Sequence, residues 1–240
     1  MTARHLLDAE CRFLDAAGVA VSSTFGKVDG ADVVRGGPVR DFPTYKGQRN
    51  YPGWLWLATT QSLVGYESLL ERDRLWLADF DPEVRWVASQ PFWLSGRDGS
   101  MLRRHVPDFL LETTSGYRVV DVKPAALAAS AEAAEVFRWT GRVCEAKGWA
   151  YEVWSGAHLV LLRNVRFLAA GRRLDLVDKD ALVKVAEAGT VGMTLADAEA
   201  EAGADPAAAR AATLALLWSG RWVTDMSCPL SAASILQWVA

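Results

Sequence analysis

Two apolar runs, Val106 to Glu112 and Tyr117 to Val122, flank the four-residue turn Thr113 to Gly116, and that pattern constrains the chain more than any other: it predicts an antiparallel hairpin. Polar residues sit at the open end of this hairpin, Pro107-Asp108 near the start of the first strand and Asp121-Val122-Lys123 at the end of the second. Side chains alternate faces along a strand, so Asp121 and Lys123 project to one side. Asp108 on the partner strand can meet them there. Two carboxylates and an amine are thereby expected to converge.

The surrounding pattern is α/β. Trp54 to Leu57, after Pro52-Gly53, has the length and aromatic content of a short buried strand, entering the core as an edge or first strand. From Gly65 to Phe80, apolar residues fall at three- and four-residue spacings, predicting an amphipathic helix that Asp81-Pro82 ends. Val84 to Val87 begins extended structure. Ala125 to Lys147 reads as a long helix with Val136, Phe137, Thr140 and Val143 inward, stopped at Gly148, and Tyr151 to Trp154 as a strand after it. Helix, hairpin, helix and strand in this order point to a mixed sheet flanked by helices.

Either side of this core the reading changes. Residues 1–60 form an N-terminal extension expected to pack on the core, with a helix around Leu6 to Ala17. Residues 61–175 are the core, and residues 176–240 a small C-terminal domain. There Asp178, Thr194 with Asp197, and Asp205 before Pro206 open three short helices, the last stopping at Gly220 ahead of a strand at Trp222 to Thr224. This is the outline of a winged helix-turn-helix.

Two carboxylates with room for water suit Mg²⁺, with Mn²⁺ able to substitute, because such ions take hard oxygen donors and keep part of their hydration shell. A metal held there orients phosphate and water, and Lys123 steadies the attacking water or a phosphate oxygen. Glu67 and Glu71 lie one helical turn apart on the preceding helix, so either can supply a third carboxylate; Glu71 is favoured. Asp after Pro is a common turn residue and Asp-x-Lys on a strand is commonly a solvated ion pair, so neither word carries the reading alone. Together and in this order they do.

Composition removes several alternatives. No apolar run approaches the roughly 20 residues of a membrane-spanning helix, so a cytoplasmic protein is expected. Cys11, Cys144 and Cys228 are far apart with no CxxC spacing, which suggests neither a disulfide framework nor a zinc site. His158 lacks a metal-ligand partner at useful spacing, and no nucleophile elbow with a Ser/His/Asp set is present. The net charge of −3 is unusual for a nucleic-acid protein, but residues 1–175 carry 22 Lys and Arg against 21 Asp and Glu, net +1, while residues 176–240 carry 4 against 8, net −4. Arg103, Arg104, His105, Arg138, Arg142 and Lys147 are the candidates to touch a DNA backbone. The third C-terminal helix carries only Arg210 among alanines, so that domain is expected to bind protein or rest on the core.

The stretch from Glu67 to Pro124, with the words YESLLERDRLWLADFDPEV, ASQPF, RRHVPDFLL and VVDVKPA, resembles the TnsA-like endonuclease subunits of heteromeric transposases. The resemblance implies a restriction-endonuclease-like fold of the PD-(D/E)xK kind. It places the helix glutamate at Glu71, the first aspartate at Asp108 and the lysine at Lys123. The position two before the lysine, Asp121, is one where members vary. The activity implied by the resemblance is cleavage of one strand at each transposon end, leaving 5′ phosphates. DNA, a DDE-type transposase and an AAA+ ATPase regulator are the implied partners. The rival expectations are a free-standing restriction or repair nuclease, a nuclease-fold scaffold without activity, and a transcriptional regulator suggested by the C-terminal helices alone.

Overall fold

The β8–β9 hairpin organises the larger part of the chain. Strand β8 (Phe109–Thr113) pairs antiparallel with β9 (Gly116–Val122) in the register Phe109 to Val120 and Thr113 to Gly116, so the expected turn is realised. Gly116 has φ +119, which a side chain would resist. Strand β5 (Val84–Ser89) adds antiparallel to β8, and β10 (Ala150–Trp154) adds parallel to β9, giving the mixed order β10-β9-β8-β5. The computed structural model describes residues 3–42 and 50–237. Part of the expected N-terminal extension, residues 43–49, thus lies outside the described residues.

Alternation along the hairpin builds two apolar layers. Leu110 and Val119 face a cluster that includes Trp139, Val143 and Cys144 of helix α5 (Ala131–Lys147). Phe109, Leu111, Val120 and Val122 face the other way, against Leu75 and Ala78 of helix α3 (Leu69–Phe80). The sheet is therefore covered by a helix on each face, as the period-two pattern and the two amphipathic stretches predict. The chain is mixed α/β.

Several expected elements differ in detail. The helix expected at Leu6 to Ala17 is a short α1 (Ala3–Leu7) followed by strand β1 (Glu10–Leu14), in which Cys11 and Phe13 are buried between exposed neighbours. Asp15 then makes the turn, its Oδ1 accepting from the N–H groups of Ala17 and Val19, with Gly18 at φ +76 before strand β2 (Ala20–Thr24). Strand β1 also pairs with β6 (Trp93–Asp98), which pairs with β7 (Met101–His105). The N-terminal residues are thus part of a second sheet, β2-β1-β6-β7, and its last two strands escape sequence reading because they are half-exposed and interrupted by charge. A short helix, α2 (Gly30–Val34), capped by Asp29, follows β2.

The strand at Trp54 to Leu57 exists as β3 (Gly53–Leu57), but it pairs with β4 (Ser62–Tyr66) in a two-stranded sheet instead of joining the central one. Residue Gly65 lies in β4, so α3 begins only at Leu69. A Cβ at Gly65 would meet the Phe42 ring at 2.5 Å, which explains the glycine. The helix expected over Ala125 to Lys147 is broken into α4 (Ala125–Ala128) and α5, because Ser130 caps α5 through the Ala133 N–H. Its end at Gly148, φ +79, is as expected.

Described residues up to Asp79 with Glu83–Gly156 form one unit, and Phe80–Pro82 with described residues from Ala157 the other. The second unit begins earlier than residue 176 and takes in helix α6 (Leu159–Leu168). Helices α7 (Lys179–Ala188), α8 (Leu195–Glu201) and α9 (Pro206–Trp218) come next, capped by Asp178, Thr194 and Asp205 as the sequence predicts. The strand expected at Trp222 to Thr224 is reduced to an antiparallel bridge from Val223 to Gln237, beside one from Thr194 to Ile235. Trp218 is buried, and Trp222 packs half-buried on the α7–α9 core.

Trp139 shows how tight the α5 layer is, since a Cβ at Gly96 of β6 would come within 3.0 Å of its ring. Trp139→Ala should lower the unfolding free energy by about 3–5 kcal/mol, the usual cost of emptying a large aromatic site. A urea unfolding midpoint unchanged from wild type would contradict this packing.

Candidate active site

The ladder between β8 and β9 continues past Phe109 and Val120 in a modified form. Pro107 cannot donate, and Asp108 substitutes a side-chain contact: its Oδ2 accepts the Val122 N–H at 2.6 Å. Asp108 and Asp121 therefore occupy neighbouring positions at the open end of the hairpin, as alternation requires. Lys123 follows β9 directly, half-buried, its backbone N–H donating to the Trp154 carbonyl at 2.9 Å.

Asp121 is 2 % exposed. His105 Nε2 lies 2.8 Å from both of its carboxylate oxygens, and the Tyr151 hydroxyl donates to Oδ2 at 2.5 Å. Strand β7 delivers the histidine and β10 the tyrosine. Tyr151 aligns with Val119 in the parallel pair, hence on the same face as Asp121 two residues further on. The sequence suggests His105 as a phosphate contact; in the fold its Nε2 holds Asp121. Tyr151 escapes sequence reading, because only the parallel pairing of two distant strands brings it there. Burial, then the Asp121 charge, pushes its phenol well above the ordinary range, so it stays protonated as a donor.

Glu71 sits in the first turn of α3. Its Oε2 accepts the Glu67 N–H and its Oε1 the Ser68 hydroxyl, both at 2.7 Å, while Ser68 Oγ accepts the Glu71 N–H at 3.1 Å. This reciprocal arrangement is a variant of the helix-capping box, with the Glu67 N–H and the Ser68 hydroxyl in place of the Ser68 N–H. Glu67 instead meets Arg40 at 3.3 Å, which separates the two candidates: Glu67 is an ion-pair partner, and Glu71 is the buried one.

The carboxylates nonetheless feel one another. Burial pushes Asp108 well above the usual carboxylate range, and the charges of Asp121, Glu71 and Glu67 push it further, against the pull of the Val122 N–H. Burial likewise raises Glu71, opposed by its bonds to Glu67 N–H and Ser68. Among the described residues, no three His, Cys, Asp or Glu side chains form a group spaced to hold a metal ion as they stand. The expected set Glu71, Asp108 and Asp121 is thus not preassembled, since Glu71 and Asp121 are committed to protein donors. The donor chemistry still fits hydrated Mg²⁺, which needs only one or two carboxylates with water, and a cation would relieve the repulsion that raises Asp108.

Of the expected DNA-contacting residues, four are engaged elsewhere: His105 on Asp121, and Arg103, Arg142 and Lys147. Arg103 binds Glu135, with Asp98 at 3.8 Å, and Arg142 donates to Asp98 at 2.7 Å. Arg104 and Arg138 are exposed. Lys147 donates to the Val28 carbonyl at 2.7 Å and lies over the rings of Phe25 and Trp149, a structural role.

A carboxyl whose folded pKa exceeds its unfolded value binds more protons when folded, so its contribution to stability falls as pH rises from the ordinary carboxylate range through the folded value. In EDTA, Asp108→Asn should therefore melt higher than wild type at neutral pH, with the gap closing as pH falls toward about 4. A gap of opposite sign, or one independent of pH, would show that the Asp108 charge is not under this strain.

No family model matches the chain, and no curated protein matches it.

Proposed function

We propose that the protein is a Mg²⁺-dependent DNA endonuclease with a restriction-endonuclease-like core, acting as the TnsA-like strand-cleaving subunit of a heteromeric transposase. The observation that carries this reading is the meeting of Asp108 and Asp121 across the open end of one hairpin, with Glu71 close enough for its charge to act on Asp108. The resemblance over Glu67 to Pro124 supplies the substrate class and the partners.

Asp108 would anchor the cation, with Asp121 beside it; when bound, the cation would make water a better nucleophile and offset charge on the phosphate. The chain's own work is positioning. The His105 and Tyr151 donors fix the Asp121 carboxylate in one orientation. Lys123, directly after β9 and two residues beyond Asp121, would steady an attacking water or a phosphate oxygen with its ammonium. Exposed Arg104 and Arg138 are free to meet the DNA backbone.

The second unit is read as winged-helix-like, with α7, α8 and α9 as the three helices and the bridged segments around Thr194, Val223 and Ile235 as its small sheet. Arg210 pairs with Glu199, and the C-terminal half of α9 is buried, which disfavours α9 as a base reader. A protein partner, a DDE-type transposase or an AAA+ ATPase, suits it better.

One observation favours a second reading, a nuclease-fold scaffold without activity: the Asp121 and Glu71 oxygens already have protein donors. The two readings separate in a cleavage assay on transposon-end DNA with Mg²⁺ and a candidate DDE-type transposase partner. The endonuclease reading expects strand cleavage by wild type, lowered at least about a hundredfold in Asp108→Ala and in Lys123→Ala while DNA binding persists. Equal cleavage by the variants would move the active site elsewhere, and no cleavage by the complete assembly would favour the scaffold.

A further inference from the structure

Gln90 comes directly after β5 and breaks two rules at once. It is a non-glycine residue at φ +43, and its side chain is 1 % exposed with neither Oε1 nor Nε2 meeting a protein partner. Buried amides almost always find partners, and positive φ is uncommon outside glycine. Such departures concentrate where a site needs them.

The position of Gln90 gives them meaning. Strand β5 pairs Ser89 with Phe109, and the Gln90 N–H donates to the Asp108 carbonyl at 2.8 Å, while its own carbonyl accepts the Val39 N–H at 3.0 Å. Continuing the β8–β9 register places Asp121 next to Asp108. Gln90 just past β5, Asp108 just before β8 and Asp121 in β9 thus occupy neighbouring backbone positions. The backbone of Gln90 is clamped on both sides, so its carboxamide is held in place without being used.

We infer that Gln90 is a positioning residue of the carboxylate site, its carboxamide hydrogen-bonding a water of the hydrated divalent cation anchored by Asp108. This rests on the proposed metal-dependent function. The chemistry is complementary: Mg²⁺ and Mn²⁺ keep several waters, each needs acceptors, and Oε1 is an uncharged oxygen that adds no repulsion to the acidic pair.

The test is Gln90→Met, which keeps volume and removes the polar atoms, with Gln90→Gly as a second variant that relieves the positive φ. Melting in EDTA and calorimetric titration with Mn²⁺ alone are measured for wild type and both variants. The expected result is a melting temperature no lower than wild type in at least one variant, because two unpaired buried polar atoms are gone, together with Mn²⁺ affinity at least about tenfold weaker in that variant. Lower melting temperatures in both variants would make Gln90 a structural residue and overturn the inference, as would Mn²⁺ affinity equal to wild type. Absence of Mn²⁺ binding by wild type would instead remove the metal-dependent reading, and this inference with it.

Discussion

The hydrogen bond from the Val122 N–H to Asp108 Oδ2 is the contact on which the arrangement at the open end of the hairpin depends. The β8–β9 ladder would otherwise stop at Phe109 and Val120, leaving the two ends held only by their outer neighbours, Asp108 by Gln90 and Val122 by β10. A side-chain carboxylate takes the place of a carbonyl, and in doing so brings its own charge to within repulsive reach of Asp121. Order at the strand ends and electrostatic strain are therefore one feature. Removing the acid would relieve the repulsion and loosen the ladder together, unless an isosteric amide keeps the acceptor.

Around that contact the protein gathers polar groups from distant parts of the chain. Strand β7 supplies His105, strand β10 supplies Tyr151, and the capping box of α3 holds Glu71. Each bond fixes a carboxylate that would be costly to bury alone. Asp108 still feels the charges of Asp121, Glu71 and Glu67, even though Glu67 pairs with Arg40. The site is thus ordered in geometry and unrelieved in charge, which is the condition a small divalent cation would improve.

Much of this is legible in the sequence, and the limit has a physical basis. The hairpin, the neighbouring positions of Asp108 and Asp121, and the caps at Asp178, Thr194, Asp205 and Gly148 come from local rules of two-residue alternation and side-chain hydrogen bonding. The contacts of His105 and Tyr151 do not. They require β7 to be delivered by its pairing with β6, and β10 to return parallel to β9 after a long helix, and neither register is written locally. Strand β1 is hidden for another reason: five residues with two inward side chains, continuing into Asp-Ala-Ala, have the composition of a helix until the Asp15 turn is recognised. Glu71 is placed correctly on its helix by spacing, but Ser68 three residues before it is the available signal that its carboxylate caps that helix.

The apolar layer beneath α5 draws on Leu6, Cys11 and Phe13 at one end of the chain and on Trp139, Val143 and Trp149 far along it. Contacts this distant in sequence must close large loops before they return any stabilisation, which slows folding relative to helical neighbours of the same size. On the ribosome, the layer around strand β1 can be completed only once residue 149 has emerged. The α7–α9 bundle is built from neighbours in sequence and has no such delay, so the two units reach order on different clocks.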